Sequence, residues 1–167
     1  MGLDPSAVLV DCLHEVVSPH GFKRFNPLSR ERSIPWVAAW KRKTWNTNRG
    51  IGLIRMPQDV VHAREYALSI RKAVGKAIGY VPFLYELGLQ LILCGEDAAR
   101  RAEGLDRAVT PVNNSTVIIQ SLHVVDLSKG TSSSARTWGQ FASGKWIDAI
   151  ELGIAAFQAR VHGGETV

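Results

Sequence analysis

The chain has 167 residues, with 20 Lys plus Arg against 15 Asp plus Glu, 46% apolar residues, 15 Gly, 7 Pro and 2 Cys. At this length about two-thirds of the extended chain's surface can be buried, so a hydrophobic core suffices and one globular domain over 1–167 is expected. The Cys count excludes a disulfide scaffold, the Gly share excludes collagen, and near-average apolar content beside 21% charged residues excludes a disordered chain.

In chain order, Asp4 before Pro5 reads as a helix N-cap with proline at the first helical position. Val8, Leu9, Cys12, Leu13, Val16 and Val17 then recur at three- and four-residue spacing until Pro19 stops the pattern. An extended piece at Phe22–Asn26 and a turn-rich NPLSRERS follow. The Trp- and Val-rich run Ile34–Trp45 reads as a strand, and Asn46, Asn48 and Gly50 supply a turn into a second strand, Gly50–Met56, so the pair forms a hairpin. From Asp59 to Ile78 the apolar residues keep a 3.6 period, and Gly79 ends this long helix. Leu87–Cys94 is a dense aliphatic run, short enough for a buried strand at the sheet centre. Glu96–Glu103 reads as a short helix stopped by Gly104. Thr116–Leu127 is strand-like and pairs, through Ser128-Lys129-Gly130, with Ser133–Trp138. Ser143 caps a final helix whose Trp146, Ile150, Ile154, Phe157 and Val161 keep helical spacing. The expected class is α/β or α+β: a mixed, partly antiparallel sheet of five to six strands covered by helices, in the order α-β-β-β-α-β-α-β-β-α.

No stretch approaches about 18 uninterrupted apolar residues, and the first residues lack the basic and apolar regions of a secretory signal. A cytoplasmic chain with no membrane partner is expected. Cys12 and Cys94 stand apart, without CxxC or a His at zinc-finger spacing, and read as buried free thiols. No metal-ligand, cofactor or catalytic motif is complete, so no cofactor is expected and the chain reads as non-catalytic. His123 and Asp126, three apart on a strand, point to opposite faces and do not make a His–carboxylate pair.

The strongest irregularity is charge placement. Residues 1–83 hold 13 Lys plus Arg and 6 Asp plus Glu, whereas residues 84–167 hold 7 and 9, so the net +5 resides in the first half. Between His20 and Arg55, nine cations face only Glu31, and five aromatics share the window. Basic residues with aromatics between them are what backbone-tracking, base-stacking surfaces use. The candidate polyanion-binding residues are Lys23, Arg24, Lys41, Arg42, Lys43, Trp45 and Arg49, on one outward patch, with nucleic acid or an acidic protein as partner. Strand alternation puts Trp36, Ala38 and Trp40 on one face, where the tryptophans double as core candidates.

A second candidate is Gly139-Gln-Phe-Ala-Ser-Gly144-Lys145, which has the spacing of a phosphate-binding loop. The magnesium-holding hydroxyl is missing, because Trp146 follows the lysine. What remains is an anion-binding candidate at a helix start, Gly144 and Lys145. Over about residues 4–95 the element order helix, three strands, helix, strand resembles the common core of restriction-endonuclease-like nucleases. That resemblance implies an Asp and a Glu-x-Lys run on adjacent strands, yet no acid lies between Glu31 and Asp59. Two alternatives stand beside polyanion binding. One is an interaction or immunity-like adaptor, docking a partner or a second copy through the apolar stretch Val81–Tyr85 and so a homo-oligomer. The other is an enzyme acting on an anionic small molecule near Gly144-Lys145.

Overall fold

Asp4 accepts from the Ser6 N–H at 3.0 Å, and with Pro5 in the first turn the chain enters helix α1, Pro5–Val17. A 3-10 turn at Ser18–His20 carries Pro19 and closes on Gly21. The computed structural model describes residues 4–43, 48–79, 87–109, 117–137 and 144–163. Among these, three strands follow: β1, Lys23–Phe25; β2, Trp36–Lys43; and β3, Asn48–Arg55. Helix α2 is Ala63–Ile78, β4 is Leu87–Gly95, β5 is Val117–Asp126, β6 is Ser132–Arg136 and helix α3 is Gly144–Gly163.

The strands form one sheet in chain order. The pairs β1–β2, β2–β3 and β5–β6 are antiparallel, whereas β3–β4 and β4–β5 are parallel. Both expected hairpins are present, and β4 occupies the sheet interior. Its aliphatic run has no polar alternation because helices cover both faces: Leu87, Leu89, Leu91 and Leu93 join the cluster under α2, and Ile92 and Cys94 join the one under α1 and α3. The result is three layers, with α2 on one side of a mixed sheet and α1 and α3 on the other. Gly153 sets the approach of those two helices, since a Cβ there would sit 2.9 Å from Val16 Cγ2 and 3.2 Å from the Cys12 carbonyl oxygen.

Three local expectations shift. The long helix starts at Ala63 rather than Asp59, because the Val60 N–H closes a turn on the Pro57 carbonyl and the Arg101 guanidinium takes the Val60 carbonyl at 3.1 Å. The short helix over Glu96–Glu103 is a 3-10 turn, Ala98–Arg101, between Asp97 (φ 52°) and Gly104 (φ 65°), whose left-handed backbone leaves no room for a full α-helical turn. The third change concerns the tryptophans. A bulge at Val37 shifts the register between Trp36 and Ala38, so Trp36 packs with the α2 layer while Ala38 and Trp40 pack under α1 and α3. Trp36 and Trp40 therefore lie on opposite faces. Ser143, the expected cap of the last helix, and the stretch Val81–Tyr85 lie outside the described residues. No helix among those described is long and apolar enough to cross a membrane.

Candidate anion-binding site

β2 leaves the core after Trp40, and its last residues pair with the first of β3: Lys41 with Gly50, Arg42 with Arg49, Lys43 with Asn48. Alternation divides the charges. Lys41, Lys43 and Lys23, which lies opposite Lys41, face the α2 side, whereas Arg24, Arg42 and Arg49 face the α1 and α3 side. The expected single patch is thus not one face of the sheet. What the cations share is one end of it, and for a physical reason: long charged side chains at strand ends reach solvent from either face.

On the α2 side this end opens into a cleft of about 240 Å³, walled by Arg30, Lys41 and Lys43, bordered by the strand ends at Arg42 and Arg49, whose side chains turn to the other face, and closed by the C-terminal end of α2 at Ile78 and Gly79. Gly50 permits the closure, because a Cβ there would lie 2.5 Å from Ile78 Cγ2. Gly79 ends α2 in the left-handed conformation (φ 110°), its N–H bonding the carbonyls of Gly75 and Lys76. Lys41 lies over the Phe25 ring, its Nζ 4.9 Å from the centroid.

On the other side, two candidates that are far apart in sequence come together. Arg42 Cζ lies 5.1 Å, Arg49 Cζ 4.2 Å and Lys145 Nζ 4.7 Å from the centroid of the Trp146 ring. Trp146 is 6% exposed and packs edge-on against Phe22, with centroids 6.5 Å apart. Its indole N–H is buried and has no acceptor. Burial, and then the neighbouring Arg42 charge, push the Arg49 guanidinium below its ordinary pKa. Among the described residues, no carboxylate forms an ion pair with Lys23, Arg24, Arg30, Lys41, Arg42, Lys43 or Lys145. Glu31, the lone acid of the basic window, is occupied locally: its carboxylate accepts from the Ser33 N–H at 3.1 Å and the Ser33 hydroxyl at 2.6 Å, which lowers its pKa.

The aromatic half of the expectation divides three ways. Trp40 is fully buried and donates to His14 Nδ1 at 3.2 Å, so it cannot stack on a ligand. Trp36 is half-buried and donates to the Glu31 carbonyl at 3.1 Å, and Trp45 lies outside the described residues. Sequence reasoning missed two participants. Arg30 sits in an irregular turn, where no periodicity places a side chain. Trp146 kept the helical spacing of a core residue, and nothing local indicated that cations would cover it.

Gly144 and Lys145 open α3, while Gly139–Ser143 lie outside the described residues. No group of three or more His, Cys, Asp or Glu side chains gathers among the described residues. β2 and β3 carry neither Asp nor Glu, so the acidic set implied by the nuclease resemblance has no counterpart on them. The Ser121 hydroxyl and His123 Nε2 lie 3.1 Å apart, but both are buried in the interior and burial pushes the imidazole down to about 4. Asp126 is likewise structural, its Oδ1 accepting from the N–H groups of Ser128 and Lys129 and the Ser128 hydroxyl. Comparison of the chain with family models, with curated proteins and with solved structures finds no match.

Proposed function

We propose that this protein binds a polyanionic partner, a nucleic acid or an acidic protein surface, at the basic end of its sheet, without catalysing a reaction on it. One observation carries the reading. Arg30, Lys41 and Lys43, from β2 and the turn before it, wall a single cleft at the end of the sheet, and no described carboxylate lines it. Held together, such charges repel, and an anionic partner that releases its own counterions relieves that repulsion. Lys41 and Arg42 lie over aromatic rings and form no ion pair with a described carboxylate, which keeps their charges available while their stems stay ordered.

Fluorescence anisotropy with a single-stranded oligonucleotide and with polyglutamate, over a range of salt, tests the reading. Affinity for at least one of them falls steeply with salt. Lys41→Gln and Lys43→Gln weaken binding, and each lowers the slope of log affinity against log salt by about 0.7 for a single strand. Absence of binding to either polyanion at about 50 mM salt overturns the proposal.

A further inference from the structure

We infer that the free edge of β6 is where two copies of this chain pair, strand against strand and antiparallel, about a twofold axis that passes Ser134 on β6 and Ala155 on α3. The pairing joins two six-stranded sheets into one. It uses the edge opposite β1 and none of the residues that wall the basic cleft.

The two edges of the sheet are built differently. β1 is three residues long, carries exposed Lys23 and Arg24, and runs into Asn26-Pro27, all features that keep a free edge from pairing. β6, Ser-Ser-Ser-Ala-Arg, has five residues in regular register with neither Lys nor Pro. Its bonds to β5 show which backbone groups are left over. The Asp126 N–H donates to the Thr131 carbonyl at 2.8 Å, and the Thr137 N–H to the Gln120 carbonyl at 3.1 Å. Alternation from those pairs turns the N–H and C=O groups of Ser132, Ser134 and Arg136 away from β5. Among the described residues no strand pairs with that edge. Arg136, the one charge on β6, does not guard it, because Asp148 at 3.0 Å and Glu151 at 2.6 Å draw its guanidinium to α3.

Any extended segment satisfies such backbone groups, but α3 favours a second copy. The helix runs antiparallel along β6 and is tied to it at both ends. Arg136 meets Asp148 and Glu151, the Ser132 hydroxyl accepts from Gln158 at 3.2 Å, and a Cβ on Gly130 would lie 3.2 Å from His162 Nε2. The middle of the strand, Ser134, therefore lies beside the middle of the tied helical span, near Ala155. A twofold axis perpendicular to the sheet that pairs Ser134 with its own copy brings Ala155 towards its own copy as well. In that register Ser132 pairs with Arg136 of the other copy, so every outward N–H meets a carbonyl. The solvent side of α3 suits the same symmetry. Leu152, Ala155 and Ala159 are exposed, Leu152 by 65%, and the two alanines let paired helices approach. Asp148 and His162, both exposed, stand seven residues either side of Ala155, so each acid faces the imidazole of the other copy. A foreign strand leaves this stripe uncovered.

Sedimentation equilibrium of the full chain tests the pairing. The chain should be a dimer whose dissociation constant changes little with salt, because backbone bonds rather than exposed charges hold it. Ser134→Pro removes an outward N–H and leaves the bonds to β5 in place. Ala155→Lys sets two like charges against each other across the axis, at an exposed helical position. Each should weaken the dimer about tenfold or more, whereas Lys23→Gln, on the opposite edge, leaves it unchanged. Thermal melts establish that each variant is folded, and if Ser134→Pro is not, Ala155→Lys decides. The twofold itself is read from Ala155→Cys, which a short bis-maleimide should link to its own copy while the buried Cys12 and Cys94 stay unmodified. A chain that remains monomeric at about 100 μM, well above the Kd of a micromolar dimer, overturns the proposal and leaves the edge to an extended segment of another protein. A dimer that survives both Ser134→Pro and Ala155→Lys overturns it as well, because its contact then lies elsewhere.

Discussion

Where β3, β4 and β5 finish, the chain uses its cations internally. Arg101 donates to the carbonyls of Pro57 at 2.7 Å, Val60 at 3.1 Å and Glu96 at 2.9 Å, tying the exits of two strands together. Lys129 reaches Asp97 at 2.6 Å, an exposed contact that holds the Asp97 carboxyl below its ordinary pKa. At the opposite end, where β2 finishes and β3 begins, Lys41, Arg42 and Lys43 meet no described carboxylate and two of them rest on aromatic rings. Residues of one chemical type thus do different work. Cations that complete backbone hydrogen bonds add to the folding free energy, whereas clustered cations without a described acid partner add little or oppose it.

The largest expected effect acts on the layer both ends share. His123, 1% exposed on β5, is held neutral by burial and next by the Arg136 charge, which lower its pKa from 6.5 to about 4. Between those values the unfolded chain binds more protons than the folded one. Stability is therefore full above pH 6.5 and falls as the pH drops from about 6.5 towards about 4, by about 3 kcal/mol in all. Urea midpoints measured across that window check this, and His123→Leu should flatten the profile. Binding comparisons between the two ends belong above it.

Next in size is the internal end. Arg101→Met leaves the carbonyls of Pro57, Val60 and Glu96 without their shared donor and should cost about 2–3 kcal/mol by urea denaturation. Polyanion affinity at constant pH should stay unchanged. A stable Arg101→Met variant would erase the contrast between the ends. Closer to the basic cleft, Gly79→Ala forces a side chain into φ 110° and should cost about 1 kcal/mol, because α2 loses its terminating geometry.

The elements were readable wherever one residue class dominated a run. Leu87–Cys94, too short and too densely aliphatic for a surface helix, read as a buried central strand and is one, and Asp4-Pro5 and Gly79 marked real helix ends. Features that depend on distant partners were not readable. The bulge at Val37 that sends Trp36 and Trp40 to opposite faces leaves no trace in a Trp-Val-Ala-Ala-Trp run, since either register satisfies local propensity. The 3-10 turn at Ala98–Arg101 is tied by Arg101 to the carbonyls of Pro57 and Val60, far earlier in the chain. The basic window was visible as charge, but its junction with Lys145 exists only because α3 packs beside the hairpin and brings Trp146 under Arg42 and Arg49.

The smallest expected stability effect is the most discriminating. Lys41→Gln and Lys43→Gln remove cations that have no described acid partner, so folding stability should change by less than about 0.5 kcal/mol. The sign distinguishes the two exposed lysines. Lys41 gives up its place over Phe25, a loss of about 0.5 kcal/mol at an exposed ring, whereas Lys43 gives up only repulsion from its neighbours and should leave the chain slightly more stable. Chemical denaturation at low salt, where that repulsion is least screened, resolves the difference, and raising the salt should shrink the Lys43→Gln gain. A Lys43→Gln variant that loses more than about 1 kcal/mol would mean that this lysine holds the fold together, and the basic end would then differ from the other end only in its partners.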